Sequence, residues 1–139
     1  MQFAIAVSFV LSLLTVPAQS ATASISYDRV YDNVNRPLAT VACSDGTYGL
    51  LTRGYTTFSS LPRFPFIGGA EAVTGWNSPN CGTCYQLTYT NVTSGVNRSI
   101  NVLAIDRAKP GFNVALEALE ALLGPRAVDI GRTTVDAEQ

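Results

Sequence analysis

Alternation of apolar and polar side chains predicts β-strands along most of the chain. The clearest example is Tyr85–Thr90, in which the two kinds of residue alternate strictly, as in a strand buried on one face. The stretch Ile100–Ile105 is apolar on both faces in its second half, which is typical of a central strand. Weaker patterns predict three further strands, at Ser24–Val30, Leu38–Cys43 and Ala127–Val135.

One stretch has the spacing of an amphipathic helix. From Val114 to Leu123 the apolar residues fall on one stripe, and the two glutamates lie outside it. Asn113 is a suitable N-cap, and Gly124 followed by Pro125 ends the helix. The sequence therefore predicts one clear short helix.

The stretch Ser59–Gly69 has the Pro- and Gly-rich composition of a loop, yet it carries four large apolar side chains. Such a loop is expected to pack onto the core as a lid. With about five or six strands, one or two short helices and no internal repeat, the chain is predicted to be mainly β. A small closed barrel is expected, because closure removes the sheet edges that a short β protein must otherwise protect.

The chain begins with an apolar run, Phe3–Val16, of the length expected for a signal-peptide h-region and too short for a membrane span. No Lys or Arg precedes Arg29, so the usual basic n-region is missing, but small residues fit cleavage after Ser20 or Ala23. We therefore expect residues 1–20 to be a signal peptide and residues 21–139 to form one secreted domain. No later run predicts a membrane span.

Charge and composition exclude several classes of function. Nine basic residues against ten acidic ones, without a basic stripe, argue against nucleic-acid binding. The chain has no His, which excludes Ser-His-Asp and Cys-His catalysis, and three Cys cannot supply the four ligands of a zinc site. We expect no metal and no other cofactor. Any catalysis would depend on carboxylates.

Two of the three cysteines, Cys81 and Cys84, lie in the turn-rich stretch Trp76–Tyr85. Their C-x-x-C spacing suits a redox pair, half of a zinc site or two separate structural bridges. A thiol oxidoreductase would place Cys81 at a helix N-terminus within a βαβ unit, and the surrounding sequence has no such pattern. In a secreted chain a structural bridge is favoured, with Cys43 joined to one of the pair and one thiol left over.

Asp106 ends an apolar strand just before a Gly- and Pro-rich loop, a position that places a side chain on a barrel rim. Its carboxylate could act as a general acid or accept hydrogen bonds from sugar hydroxyls. A hydrolase normally needs a second carboxylate, for which Asp45 is the best candidate, although an Asp in a turn usually caps its own backbone. Among aromatic residues, Tyr48 is preferred for ligand contact, whereas Trp76, which lies beside the disulfide turn, is expected to pack into the core or the lid.

The polar loop Asn91–Ser99 carries two glycosylation sequons, at Asn91 and Asn97. Neither is blocked by proline. On a secreted chain the two together favour at least one attached glycan.

A series of motifs resembles the cerato-platanin family of small secreted fungal proteins. Taken in order, these motifs span essentially the whole chain after the signal segment. They are Ser26-Tyr27-Asp28, Val41-Ala42-Cys43-Ser44-Asp45-Gly46, Gly54-Tyr55-Thr56-Thr57, Phe64-Pro65, Ile67-Gly68-Gly69, Gly75-Trp76-Asn77-Ser78, Asn80-Cys81-Gly82-Thr83-Cys84, Val102-Leu103-Ala104-Ile105-Asp106, Gly111-Phe112-Asn113 and Gly131-Arg132.

The resemblance implies a six-stranded double-psi β-barrel similar to the first domain of expansins. It also implies secretion with partial retention at the fungal cell wall, and binding of chitin or N-acetylglucosamine oligomers in a shallow groove, without catalysis. Plants would perceive such a protein as a defence elicitor or phytotoxic effector, so a plant cell-surface receptor is an expected partner. The expected form is a monomer.

By the same resemblance, Asp106 and Asn113 lie in the saccharide groove, with Asp45 and Arg53 in neighbouring loops. Together with Tyr48 these are the predicted carbohydrate-binding residues. The family pairing joins Cys43 to Cys81, and Cys84 to a cysteine near the C-terminus. The sequence has no fourth cysteine, so it is either truncated or lacks the second bridge, and Cys84 is expected to be unpaired in this chain.

Two alternatives stay open. An expansin-like wall-loosening protein or a weak glucan hydrolase would use Asp106 as its acid. A self-assembling surface protein would use the apolar lid from Leu61 to Ile67.

Overall fold

The computed structural model describes Leu14 and residues 19–139, so most of the predicted signal segment lies outside the described residues. The strands of the barrel are β1 (Ala21–Tyr27), β2 (Ile67–Ala70), β3 (Cys84–Thr90), β4 (Asn97–Arg107), β5 (Phe112–Val114) and β6 (Arg132–Glu138). They form a closed barrel in the order β1-β5-β2-β4-β3-β6. The predicted fold class, mainly β with a six-stranded barrel, is confirmed.

The barrel mixes parallel and antiparallel pairs. Strands β1 and β5 are parallel, as are β2 and β4, and the other four pairs are antiparallel. Strand β6 pairs with β1 from Ala21↔Ala137 to Ser26↔Arg132, which closes the barrel between strands distant in sequence. The interior is filled by aliphatic side chains that are fully buried, including Ile25, Leu87 and Ile105.

The two strands with the strongest sequence patterns are confirmed. Tyr85–Thr90 lies within β3, where Tyr85 and Leu87 are buried and the intervening Gln86 is exposed. Ile100–Ile105 lies within β4, which is flanked by β2 and β3 and is buried from Val102 to Ile105.

Two short helices pack beside the barrel, α1 (Leu116–Leu123) and α2 (Ala127–Ile130). The apolar stripe predicted for α1 is buried through Leu116, Leu119 and Leu122, and the helix ends at Gly124 with φ +78°. Within the described residues, neither helix has the length and apolar character that crossing a membrane requires.

The predicted start of α1 is wrong. Asn113 lies in β5, where it pairs with Ser26 and Gly69, so it cannot be the N-cap. The first backbone N–H groups of the helix, those of Leu116 and Glu117, donate instead to the Asp32 carboxylate at 2.8 and 3.0 Å. A side chain more than eighty residues away therefore supplies the cap.

Two other predicted strands need correction. In the stretch Ala127–Val135, the first four residues form α2, and Gly131 at φ +66° separates them from β6. Leu38–Cys43 is not a strand but begins with a 3₁₀ turn, Leu38–Thr40. The spacing explains this, since the buried Leu38 and Val41 are three residues apart, which suits a 3₁₀ turn rather than strand alternation.

The chain between β1 and β2, residues 28–66, is termed here the connecting segment. It contains no strand, only three 3₁₀ turns, at Arg29–Asp32, Leu38–Thr40 and Phe58–Ser60. Several of its large side chains are nevertheless buried, among them Leu38, Leu50 and Phe58, and Tyr31 stacks on Phe58 with ring centroids 6.1 Å apart. The predicted lid is confirmed in part: Leu61 is buried, and Phe64 and Phe66 are partly buried against the core. Its last residues, 67–69, were predicted as loop but belong to β2.

Candidate functional site

A row of residues crosses four adjacent strands at one level of the barrel. Gly69 on β2 pairs with Asp106 on β4 and with Asn113 on β5, and Asn113 in turn pairs with Ser26 on β1. Residues paired in this way project from the same face of a sheet. Asp106, Asn113 and Ser26 are half-buried, whereas their neighbours Ile105, Phe112 and Ile25 are buried. The row, termed the polar row, therefore faces outward.

Glycines keep the centre of the polar row free of side chains. A Cβ atom on Gly69 would lie 2.8 Å from the Arg107 carbonyl oxygen, and one on Gly68 would lie 2.7 Å from Val114 Cα. Only glycine lets the neighbouring backbones approach this closely. Both glycines are buried, and only Gly69 lies on the polar row, with Asp106 and Asn113 on either side of it and about 10 Å apart at the usual strand spacing.

Asp106 joins the barrel to the connecting segment. One carboxylate oxygen accepts the hydroxyl of Tyr31 at 2.9 Å, and the other accepts the backbone N–H groups of Ala42 and Arg107 at 3.0 and 2.9 Å. Burial of Tyr31, together with the nearby Asp106 charge, raises the pKa of that phenol well above its ordinary value. The carboxylate is therefore held as an acceptor by three donors.

The side chain of Asn113 makes fewer hydrogen bonds than that of Asp106. Its side-chain oxygen lies 3.2 Å from the Ser26 hydroxyl, which donates to it. Its amide nitrogen has no hydrogen-bond partner among the described residues. This group is available as a donor at the outer face of the polar row.

A second group of predicted residues lies at the disulfide that joins Cys43 to Cys81, as the family resemblance implied. Cys84 is an exposed free thiol at the start of β3. The loops on either side of the bridge carry Asp45 and Tyr48 on one side and Trp76 on the other. This group, with Arg53 and Asn77, is termed the disulfide corner.

Asp45 and Trp76 are bound to each other across the disulfide corner. The indole N–H of Trp76 donates to the Asp45 carboxylate at 2.6 Å. This bond, helped by the backbone N–H of Asp45 and the Ser44 hydroxyl, holds the pKa of Asp45 below its ordinary value. Trp76 is 63% exposed, so the expectation that it packs into the interior is wrong.

Tyr48 and Arg53 are also fixed by the corner. The backbone N–H of Tyr48 donates to the Asn77 side chain at 2.9 Å, and Asn77 is itself in the left-handed region at φ +56°. One guanidinium nitrogen of Arg53 donates to the carbonyl groups of Tyr48 and Cys81 at 3.3 and 3.1 Å. Arg53 thus bridges the two loops, while Tyr48 remains 42% exposed.

The five predicted carbohydrate-binding residues therefore divide between two places. Asp106 and Asn113 lie on the polar row, while Asp45, Tyr48 and Arg53 lie on the disulfide corner. The two are linked, because Ala42 donates to Asp106 and Cys43 donates its backbone N–H to Ile105 at 3.1 Å. Ser26 and the Tyr31 hydroxyl were not predicted from the sequence, and only the Gly68-Gly69 pair gave a local signal that neighbouring backbones approach closely here.

The sequon residues lie at the opposite ends of β3 and β4 from the disulfide corner and the polar row. Asn91 is exposed, and its side-chain oxygen accepts the backbone N–H groups of Thr93 and Ser94 at 3.0 and 3.2 Å. Asn97 is exposed and begins β4 rather than lying in the loop. Among the described residues, no three Cys, Asp or Glu side chains cluster as metal ligands would.

Comparison with known proteins gives a consistent result. The family model described as Cerato-platanin matches residues 23–139. The protein named "Allergen Asp f 15 homolog" from Arthroderma benhamiae is 48% identical over 128 residues, which are 92% of this chain but only 60% of that protein. The chain therefore spans less than two thirds of that relative's length.

Solved structures agree with the same relationship. The crystal structure of cerato-platanin 1 from M. perniciosa is 44% identical, with a TM-score of 0.80 over 84% of this chain and 94% of that one. The solution structure of "the fungal elicitor Cerato-Platanin" is 36% identical, with a TM-score of 0.67 over 81% of this chain and 90% of that one.

Proposed function

The chain belongs to the cerato-platanin family, and on that premise we propose that it is a secreted, non-catalytic saccharide-binding protein of the fungal cell wall. Its ligands are chitin or N-acetylglucosamine oligomers, and plants perceive it as a defence elicitor. Support for the elicitor role comes from a similar protein whose structure is titled as that of a fungal elicitor.

The polar row is the observation that carries this proposal. Asp106 and Asn113 are both half-buried and face outward, and the buried Gly69 between them adds no side chain to separate the two polar groups. Sugars carry hydroxyl groups around the rim of the ring, so a shallow surface with spaced polar groups is suited to them. The free amide nitrogen of Asn113 donates to a sugar oxygen, and the Asp106 carboxylate accepts from a hydroxyl.

The hydrogen bonds of Asp106 favour binding over hydrolysis. A general acid must carry a proton and deliver it to the leaving group. The Asp106 oxygens instead accept from Tyr31, Ala42 and Arg107, which is the arrangement of an acceptor. The second carboxylate considered for a hydrolase, Asp45, is bonded to Trp76 in the disulfide corner. We therefore propose that no glycosidic bond is broken.

Titration with chitin oligomers, followed by amide chemical shifts, tests the proposal. We expect the largest shifts at Gly68, Gly69 and Asn113, and roughly tenfold weaker binding for Asn113→Ala, as expected when a buried sugar group loses a donor. Asn101→Ala is the matched control, because Asn101 is exposed on β4 away from the row. Equal affinity of Asn113→Ala and the parent protein would refute the role of the row.

Activity, localisation and modification have separate tests. Release of reducing ends from soluble glucan by the parent protein, lost in Asp106→Asn, would establish the hydrolase alternative instead.

Culture filtrate should contain the protein, and leaf infiltration should trigger defence responses. Light scattering should show a monomer, because the apolar lid that would drive self-assembly is packed inward. Deglycosylation of secreted protein should lower its mass if Asn91 or Asn97 carries a glycan.

A further inference from the structure

We propose that Trp76 and Tyr48 form a second saccharide subsite, an aromatic shelf on which the apolar face of a pyranose ring stacks. This inference rests on the proposed function, since it takes the ligand to be a saccharide. It adds a contact surface outside the polar row, and it assigns ligand contact to a tryptophan that the sequence pattern placed in the interior.

Exposure of the two rings is the first argument. Trp76 is the only tryptophan of the chain and is 63% exposed, while Tyr48 is 42% exposed. Both large aromatic side chains would contribute to stability if they were buried. The other large apolar residues that are exposed lie elsewhere in sequence, among them Val34, Val92 and Val128. The corner therefore holds two aromatic rings in solvent without a wider apolar patch around them.

Rigidity is the second argument. The Trp76 indole is held at its N–H edge by Asp45 at 2.6 Å, which fixes the ring plane and leaves a face open. Asn77 binds the backbone of Tyr48 and packs against Gly46, where a Cβ would lie 2.6 Å from the Asn77 side-chain oxygen. The Cys43–Cys81 bridge joins the two loops that carry the rings. The Trp76 ring and the backbone of Tyr48 are therefore positioned before any ligand arrives, which lowers the entropic cost of binding.

The polar groups around the rings identify the class of ligand. Asp45 is exposed, and the Trp76 N–H holds its pKa below the ordinary value, so it remains a carboxylate acceptor. One of its oxygens has no hydrogen-bond partner among the described residues. A flat apolar surface beside a hydroxyl acceptor matches the alternating C–H face and O–H edge of a sugar ring. A lipid surface would instead favour a basic rim, and this corner pairs one Asp with one Arg.

The shelf borders the polar row. Asp106 accepts the backbone N–H of Ala42, and Asp45 follows Ala42 by three residues, a span of at most about 11 Å of extended chain. One oligosaccharide could therefore contact both surfaces. A longer oligomer gains the shelf contact, whereas a short one bound at the row does not reach it.

Fluorescence of the single tryptophan tests the shelf directly. Titration of the parent protein with chitin dimer and hexamer is followed both by calorimetry, which detects binding anywhere, and by Trp76 emission, which reports the shelf. We expect the hexamer to change the emission with the affinity measured by calorimetry. Trp76→Ala should bind the hexamer roughly three- to tenfold more weakly and bind the dimer normally. Trp76→Phe should recover part of the loss, because it keeps a flat ring.

The controls separate this inference from the proposed function. Val92→Ala removes an exposed apolar residue elsewhere and should bind as the parent does. Binding by calorimetry without an emission change, with Trp76→Ala equal to the parent, would overturn the shelf and leave the proposed function intact. An emission change that persists unaltered in Asn113→Ala would support the shelf and refute the row. Absence of heat and of emission change with any chitin oligomer would overturn both, and an emission change with lipid vesicles instead of sugar would overturn the shelf.

Discussion

The barrel and the connecting segment bury comparable side chains but hold them in different ways. The strands are joined by continuous ladders of backbone hydrogen bonds, so the position of a strand does not depend on any single bond. The connecting segment has no ladder. It is held by scattered turn and loop hydrogen bonds, and the contacts that join it to the rest of the molecule include Tyr31 to Asp106, Asp32 to α1 and the Cys43–Cys81 bridge. Both proposed saccharide surfaces depend on this segment, so their geometry relies on a small number of residues.

The largest expected effect is in the barrel. Gly68→Ala would place a Cβ against the Asn113 carbonyl group and 2.7 Å from Val114 Cα, in the middle of a sheet that cannot move aside. We expect a loss of roughly 4 kcal/mol or more in the free energy of unfolding, or failure to fold. Denaturant titration measures the change in the free energy of unfolding. Gly95→Ala, at φ +72° in open space, is the control and should cost only about 1 kcal/mol.

The disulfide is expected to have the next largest effect. Replacing Cys43 and Cys81 together by Ala frees the loops of the disulfide corner and should lower stability by roughly 3 kcal/mol. Chemical denaturation compares this variant with Cys84→Ala, which removes an exposed free thiol and should be close to neutral. Similar stabilities for the two variants would show that the bridge does not hold the corner.

Asp106→Ala should have an intermediate effect. It leaves the buried Tyr31 hydroxyl and the Ala42 N–H without their acceptor, at a cost of about 2 kcal/mol. Hydrogen exchange should show faster exchange at Ala42 and in the connecting segment, with the β3–β4 ladder unchanged. Asp136→Ala, at an exposed position on β6, provides the comparison. Uniform loss of protection across the barrel would contradict the view of Asp106 as a local anchor.

Asp32→Ala removes the distant cap of α1 and should cost about 1 kcal/mol. Thermal unfolding measures the loss. Asp32→Asn retains a side-chain acceptor and should recover part of it. If both variants match the parent, water or another group satisfies the first turn of the helix as well as Asp32 does.

The smallest expected effect concerns the ionisation of Tyr31, which changes the free energy of unfolding only at alkaline pH. Burial and the Asp106 charge raise the pKa of Tyr31 in the folded protein, so its stabilising contribution is complete below the unfolded value of about 10. As pH rises above that value, the unfolded chain loses the proton first and stability falls. Unfolding between neutral pH and strong alkali should therefore show a shallower decline for Tyr31→Phe than for the parent. The pKa of Tyr85 is raised by burial alone, so Tyr85→Phe should differ less from the parent in its decline of stability.

The same contrast explains what the sequence could predict. Strand β3, the centre of β4 and the buried stripe of α1 follow local periodicity, and these predictions are confirmed. The cap of α1 could not be predicted, because Asp32 and Leu116 are 84 residues apart and no local pattern joins them. The strand predicted at Leu38–Cys43 failed for a different reason, since its β-forming composition was given more weight than the three-residue spacing of the buried Leu38 and Val41, which suits a 3₁₀ turn.

Within the candidate site, too, local pattern identified some residues and missed others. Asp106 was identified because it ends a predicted strand, and its place beside Gly69 follows from strand register. The exposure of Trp76 was missed, because whether a tryptophan near a cysteine is buried depends on the path of a loop that periodicity does not describe. The bond from its indole to Asp45 crosses 31 residues of irregular chain.

Closure of the barrel by β1 and β6 has a consequence for how the chain folds. Ala21 pairs with Ala137, so the last ladder joins residues separated by almost the whole domain. Contacts of such high sequence separation slow folding, because the chain entropy is lost before the ladder forms. The barrel cannot close until β6 has been synthesised, so β1 waits for a partner that lies more than one hundred residues further along the chain.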